Sequence, residues 1–422
     1  MIKHETEIPA AAVWPHVGER LRLGVPLGAY ALDHRVRYLF LEERGVQVLS
    51  AHTERGQLVE AVSPYLPGLQ CDEQEMADDY GVTFDGLSGP DTGEATGRTT
   101  TPGGQASQGV DTTTFPYGLD ALTSPFSTRG PFVSLRAKSA KFHGSSEHGF
   151  EGEEPLTFAP RVTGLCGPCN ASRSLAYAMA VESISHARIS EPVQTARLII
   201  AELERIYNHL FDLALCAGAA GWNFGRSRGI GLKRRALRIC QAAVGHPLLC
   251  DAIVPGGLRD GMFADREHIQ LLLLMLQEEV EEYLTVLFTQ PDIRTGWAEV
   301  GTFTREAAYA LAVVGPVHRA SGGAVDVRDL VPYGAYRWLP IRVAHEEQGD
   351  VRARCAIKVA ELRDSFRLVF QAFETLGGAQ LDRAAIVAPG IGEAVTVVAV
   401  TECVTTCEIS AEAATVLKLS PA

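Results

Sequence analysis

Four stretches of this sequence repeat apolar residues at helical spacing over several turns, and they limit the folds open to it. In residues 195–221, Ile199, Leu203, Ile206, Leu210, Leu213 and Ala217 follow one another at steps of three and four. That spacing draws one apolar stripe down a helix, and Gly218 and Gly221 supply its stop. Residues 265–288, 305–314 and 351–376 read the same way, the last ending at Gly377 and Gly378. Long helices with one apolar stripe each must bury those stripes against one another, which predicts a bundle. Glu204, Arg205, Asn208 and His209 fall on the first helix, as either a surface set or an interhelical hydrogen-bonding set.

The N-terminal part reads differently. Apolar runs at 36–41 and 46–49 alternate with turn signals and predict strands, while 57–65 reads as a short helix. This unit closes with an acidic helical pattern from Asp72 that gives way at Gly81 to a strand-like end at Leu87. Residues 88–114 hold Gly, Thr, Ser and Pro and no aromatic residue, so they cannot bury enough surface to offset the entropy of ordering. The fold class expected is therefore α+β: a small N-terminal α/β domain at 1–87, a linker at 88–114, and a large, mainly helical domain at 115–422.

Composition narrows the function. The chain has 422 residues, 46% of them hydrophobic, and a formal charge of −13, which excludes nucleic acid or an anionic membrane as the main partner. Its mean hydropathy is +0.04. No run approaches the roughly 18 apolar residues a membrane span needs, and the first residues show no apolar leader. The nine cysteines are thus expected to be reduced thiols or ligands in a cytoplasmic protein. There is no G-x-G-x-x-G after a predicted strand, so NADH is not expected to bind this chain directly.

Chemistry-bearing residues gather in a few places. Cys166 and Cys169 stand two residues apart in a glycine-punctuated loop that runs into an apolar helix. Thiols so spaced reach one centre, and a helix N-terminus favours their thiolates, which suits a metal-ligand pair or a redox pair. His143, Glu147 and His148 cluster shortly before them. Between the helices, 254–261, 315–323 and 326–336 read as tight loops carrying Arg259, His318, Arg319, Asp326, Arg328, Tyr333 and Tyr336. Such loops between rigid helices are where sites usually lie, the plain alternative being structural turns with surface arginines. The tail, with strand-like runs at 384–388 and 394–400, ends near Cys403 and Cys407, three residues apart.

In this order the pieces resemble one family. The chain is similar to the large subunit of group 4 membrane-bound nickel-iron hydrogenases, the formate hydrogenlyase type. That large subunit is itself homologous to the fused thirty- and forty-nine-kilodalton subunits of NADH-quinone oxidoreductase (complex I). MADDYGVTFDGL resembles the end of the thirty-kilodalton domain. HGSSEH (143–148), RVTGLCGPC, ELERIYNHL, VPGGLRD, VGPVHRASG and GDVRAR (349–354) resemble the forty-nine-kilodalton markers in sequence order. The resemblance implies a large-subunit fold docked to an iron–sulfur small subunit of the complex I type, with integral membrane subunits beyond it and a quinone as an acceptor. The chain would then sit on the cytoplasmic face of the cell membrane through those partners. It also implies roles: Cys166, Cys169, Cys403 and Cys407 as metal ligands, and Glu147, His143 and Arg319 as catalytic groups, with Glu147 relaying protons.

Four departures surround the implied nickel-iron centre. ECVTTCE (402–408) lacks the family's Asp-Pro and has one residue more between its cysteines, which moves the second thiol by ~3.5 Å. Arg173 stands where a His is expected, PGIGE (389–393) lacks the family's Arg, and the segment before Cys166 carries an extra residue. A bridged dinuclear site needs ligands from both sides of its cavity. The metal site is therefore read as degenerate, the alternatives being a working nickel-iron hydrogenase and a non-catalytic coupling subunit.

Overall fold

The structure, a computed structural model, describes residues 4–32, 34–43, 45–54, 57–87, 127–129, 132–134, 159–162, 168–381, 392–399 and 412–419. It is a mixed helical and sheet protein. In the N-terminal part come β1 (His4–Ile8), α1 (Val13–Arg20), β2 (Gly24–Leu32), β3 (Arg35–Glu42), β4 (Gly45–His52), β5 (Leu58–Glu60), α2 (Gln70–Tyr80) and β6 (Thr83–Asp85). The first four strands form one sheet in the order β1-β4-β3-β2, with β1 parallel to β4 and the other pairs antiparallel.

The near-continuous apolar run of β3 makes sense once both faces of that sheet are seen to be covered. Val36, Tyr38 and Phe40 pack with Val13 and Val17 of α1 and Met76 of α2. Leu39 and Leu41, one residue out of phase, join Val25, Val46 and Val48 in the core of the helical part. The period of two thus sends alternate residues into two different cores. Helix α2 is held down by its acids: Glu73, fully buried, accepts from the backbone N–H groups of Val62 (2.7 Å) and Ser63 (3.0 Å) and from the Tyr38 hydroxyl (2.8 Å). Asp72 accepts from Ala29 N–H at 2.7 Å.

The helix expected over 57–65 is not formed. Leu58–Glu60 is instead a strand, β5, parallel to β6, because pairing with Thr83–Asp85 satisfies its backbone and overrides local propensity.

The helical part contains α3 (Asn170–Ser185), α4 (Glu191–Ala219), α5 (Asn223–Val244), α6 (Arg266–Leu287) and four short helices, α7 (Pro291–Trp297), α8 (Arg305–Ala310), α9 (Gly315–Ala320) and α10 (Val327–Leu330), before the long α11 (Val351–Leu376). Small two-stranded pieces complete it: β7 (Ser127–Arg129) with β8 (Phe132–Ser134), β9 (Ile253–Val254) with β10 (Gly257–Leu258), and β11 (Gly392–Ala399) with β12 (Glu412–Leu419). The boundaries follow capping chemistry. Pro192 occupies the first turn of α4, and the Asp265 and Asp350 carboxylates accept from His268 N–H (3.0 Å) and Ala353 N–H (2.8 Å) to open α6 and α11.

Three readings of the helical part change, one being that Val327–Leu330, within the expected loop 326–336, forms α10. Residues 315–320, expected as loop, form α9, with Pro316 in its first turn and Gly315 at φ 71° at its start. The pattern over 305–314 stops at Ala310, because Ala312 turns to φ 54°.

Helix α5 had no apolar stripe to announce it, since Gly225, Gly229, Gly231 and six basic residues interrupt one. Its glycines have a packing purpose. A Cβ on Gly229 would lie 2.7 Å from Cβ of Ala214 on α4 and 3.0 Å from the Tyr283 hydroxyl on α6. Gly229 therefore sets how closely α5 approaches α4. The core of this bundle is centred on α4, most of whose residues are buried. Leu213→Ala, at 0% exposure in α4, is expected to cost ~2–5 kcal/mol in a urea unfolding curve, whereas Leu271→Ala, 55% exposed on α6, stays within ~0.5 kcal/mol of the parent.

Candidate functional site

The segment ELERIYNHL occupies Glu202–Leu210 of α4, and all nine of these side chains are buried. Polar residues in such a place need partners, and they find them on two sides of the helix.

One side holds the start of α3, where Cys169 sits at the N-cap with 0% exposure. Glu204 accepts from the backbone N–H of Ala171 (2.6 Å) and of Ser172 (3.0 Å), and from the Ser172 hydroxyl. These N–H groups belong to the first turn of α3, which has no intrahelical partner for them, and a carboxylate there also meets the positive end of the helix dipole. The Tyr207 hydroxyl and Asn208 Nδ2 both donate to the carbonyl of Pro168 at 2.9 Å. Three residues of α4 thereby fix the chain on either side of Cys169. Arg173, one turn into α3, donates its backbone N–H to the Cys169 carbonyl at 3.1 Å.

The other side carries a buried cluster of charges. Glu202 accepts from Arg205 Nε (3.2 Å), Arg328 (3.2 Å), Ser365 Oγ (2.6 Å) and the Tyr336 hydroxyl. Glu361 of α11 accepts from His209 Nε2 at 2.6 Å and pairs with Arg319 of α9, with Arg205 and Arg328 at 3.9 Å. Asp326 holds Arg328 through two bonds of 3.0 and 2.8 Å, caps α10 by accepting from Arg328 N–H, and lies 3.2 Å from Arg319. None of these charged side chains is more than 5% exposed. Three carboxylates face three guanidinium groups, so the cluster is electrically balanced when His209 is neutral.

Burial and the network pull the titrations in stated directions. Burial disfavours the Glu361 carboxylate, but Arg319, the His209 hydrogen bond and Arg328 outweigh it and hold its pKa well below the usual value. For Glu202, burial is likewise outweighed by Arg205 and Arg328, and its pKa is lowered. Burial lowers the pKa of His209 in spite of Glu361. With a neutral imidazole beside an ionised carboxylate, Nε2 must carry the hydrogen that Glu361 accepts. The cluster can therefore hold fixed dipoles and charges in a dry interior at neutral pH.

A second buried pair ties the 254–261 turn to the same helices. Arg197 of α4 donates to Glu182 of α3 at 3.0 and 2.6 Å and to the carbonyls of Val254 and Gly257, while Glu182 accepts from Gly256 N–H at 2.8 Å. Arg259, on the surface, donates to the Val244 carbonyl at the end of α5.

Of the site residues expected from the sequence, Cys169 and Arg319 are described: α4 holds Cys169 through the Pro168 carbonyl and the α3 cap, and Arg319 is held by Glu361 of α11, which accepts from His209 of α4. Cys166, His143, Glu147, Cys403 and Cys407 lie outside the described residues, as do PGIGE (389–393) and the 88–114 segment. Glu204, Arg205, Asn208 and His209 are interhelical and not surface groups, and Arg319 and Arg328 are not surface arginines. Glu361, Ser365, Glu182 and Arg197 were not foreseen. The available signal for Glu361 was a carboxylate on a stripe position of α11, between Ile357 and Leu368. Among the described residues no three His, Cys, Asp or Glu side chains converge as a metal-ligand set.

Known proteins resemble this arrangement. Residues 229–407 match the family described as respiratory-chain NADH dehydrogenase, 49 Kd subunit. The chain is 30% identical over 54% of its length to formate hydrogenlyase subunit 5 of Escherichia coli, covering 40% of that protein. It is 30% identical over 52% of its length to the D subunit of NADH-quinone oxidoreductase from Thermosipho melanesiensis, covering 60% of that protein. It thus spans about half the length of these curated relatives. Among solved structures, a chain of the membrane-bound sulfane sulfur reductase, an archaeal respiratory membrane complex, has the same fold, with a TM-score of 0.55 and 22% identity over 60% of this chain and 70% of that one. The resemblance read from ELERIYNHL and its companion motifs is borne out by these matches.

Two outcomes test the site's electrostatics. Glu361→Ala leaves the arginines in excess inside the bundle and is expected to lower stability by ~3–5 kcal/mol by urea unfolding. His318, 2% exposed, has its pKa lowered to about 4, first by burial and then by Arg319 and Arg305. A histidine depressed in the folded state binds its proton more readily when unfolded. Stability should therefore fall as pH drops from 6.5, the ordinary value, towards 4, and His318→Gln should flatten that part of the stability–pH curve.

Proposed function

We propose that this chain is the large subunit of a membrane-associated oxidoreductase of the complex I-like or group 4 hydrogenase type. It takes electrons from an iron–sulfur cluster in a partner subunit and works against a quinone or a similar acceptor. The observation that carries this reading is the double use of Glu202–Leu210. One side of the segment positions the Cys169 loop and the other assembles a dry cluster of balanced charges, which is what a site next to a redox partner requires: fixed ligands on one side and pre-set dipoles on the other. The motif similarity to formate hydrogenlyase subunit 5 and to the D subunit of NADH-quinone oxidoreductase points the same way.

Two domains, at 1–87 and 115–422, joined through 88–114, belong to the same proposal. Partners would be an iron–sulfur small subunit and integral membrane subunits, holding the chain on the cytoplasmic face of the membrane. Among the described residues no helix is long and apolar enough to cross a bilayer.

A nickel-iron centre would draw on Cys166, Cys169, Cys403 and Cys407, with His143, Glu147 and Arg319 about it. Of the four thiols only Cys169 is described, and the donor set around it does not by itself make a site. Arg319, a proposed catalytic group, is held on Glu361 and on the Val325 carbonyl (3.0 Å), so it acts as a fixed cation. The departures at Arg173, PGIGE (389–393) and ECVTTCE (402–408) carry the reading of a degenerate metal site, and no step through nickel is derived. The second reading, a working hydrogenase that interconverts protons and hydrogen, is favoured by one observation: Cys169, one of the four proposed ligands, is fully buried at the start of α3.

Purification from the native membrane tests both. The chain is expected to copurify with an iron–sulfur subunit and membrane subunits, and to carry well under one nickel per chain by elemental analysis. One nickel per chain would replace this reading by the hydrogenase one, and a fully active monomer would overturn membership of a complex. Limited proteolysis should cut first within 88–114; early cleavage within 195–221 would refute the domain division.

A further inference from the structure

Helices α4 and α11 run antiparallel, and the side-chain contacts between them form a ladder in register. Glu202 accepts from Ser365. One to two turns on, His209 meets Glu361. Asp212 then pairs with Lys358. Each advance along α4 is matched by a retreat along α11. The same register, carried one turn beyond Asp212 and one turn before Lys358, sets Cys216 opposite Cys355, and the two thiols interact. Both thiols are free and buried, at 8% and 2% exposure.

The thiols are unlike in reactivity. Interaction with Cys355, with the Lys358 cation nearby, holds the Cys216 pKa below its ordinary value against burial. The same interaction, together with burial, pushes Cys355 well up. The two thiols are thus coupled, and the pair loses its first proton more readily than its second. Position adds access. Cys216 lies in the last turn of α4 and Cys355 in the second turn of α11, and helix ends open more readily than helix middles.

We propose that Cys216 and Cys355 are a redox-active dithiol that closes to a disulfide linking α4 to α11. With a peroxide as oxidant the step balances. The Cys216 thiolate attacks one oxygen of hydrogen peroxide, the O–O bond breaks, and hydroxide leaves to take up the proton that Cys216 released. The Cys355 sulfur then attacks the Cys216 sulfenic acid. The S–S bond forms, the S–O bond breaks and a second water departs. Two electrons pass from the sulfurs to the peroxide, and a dithiol reductant reverses the change by exchange. The closed form fixes the two helices that bear Glu202, Arg205, His209 and Glu361. The inference does not depend on the electron-transfer role proposed above, since it rests on the helix register and the thiol pair alone.

The test uses the full-length protein, in the complex in which it is purified, exposed to hydrogen peroxide and then alkylated and mapped by mass spectrometry. Expected is a peptide pair joined through Cys216 and Cys355, lighter by two hydrogens, restored by dithiothreitol, with a raised melting temperature in the oxidised form. In Cys355→Ser the joined pair disappears and dimedone traps a sulfenic acid at Cys216. In Cys216→Ser, Cys355 stays alkylatable only after denaturation. Circular dichroism confirms that each variant is folded. If both thiols of the folded parent survive peroxide, or if the cross-link formed involves Cys240 or Cys250, the proposal is wrong and the pair is packing alone.

Discussion

The carboxylate of Glu361 is the point on which the helical part turns. A single ionised acid at 3% exposure would be untenable in an apolar core. It persists because His209 from α4 and Arg319 from α9 close on it, with Arg205 and Arg328 a little further out. Each of those arginines is in turn paired with Glu202 or Asp326. Elements remote in the chain are thereby bound to one another by direction-dependent contacts, where the hydrophobic effect alone would leave their rotation loosely specified. Apolar stripes bring α4 and α11 together; the charges decide which residues face which.

That division of labour explains what was legible in the sequence. The long helices announced themselves because Ile199, Leu203, Ile206, Leu210 and Leu213 repeat at helical spacing, and Gly218, Gly221, Gly377 and Gly378 stand as stops. The strands β3 and β4 showed as apolar runs. Strand β2 did not, because Pro26 and Gly28 flank a register shift within it. Helix α5 was hidden by glycines whose value is visible only in the closeness of Ala214 and Tyr283. Strand β5, read as helix, is decided by a partner more than twenty residues away.

The site was legible in half. ELERIYNHL could be recognised as a unit, and the loops carrying Arg319, Asp326 and Arg328 could be marked as rich in chemistry. The sequence does not state that Arg205, His209, Arg319 and Arg328 share one acid on α11, since that acid lies 152 residues from His209. Nor does it state that Glu204 points away from Glu202, towards the first turn of α3. Two carboxylates two residues apart on a helix face different ways, and here that difference separates a capping role from a charge-cluster role.

The doubly covered sheet has a consequence of another kind. Val25, Leu39, Leu41, Val46 and Val48 bury themselves among bundle residues while Val36, Tyr38 and Phe40 serve a core of their own. An apolar face of that sort is what two separately made proteins would present to each other in a permanent complex. Side-chain packing, and not chain continuity alone, therefore holds the N-terminal sheet against the bundle.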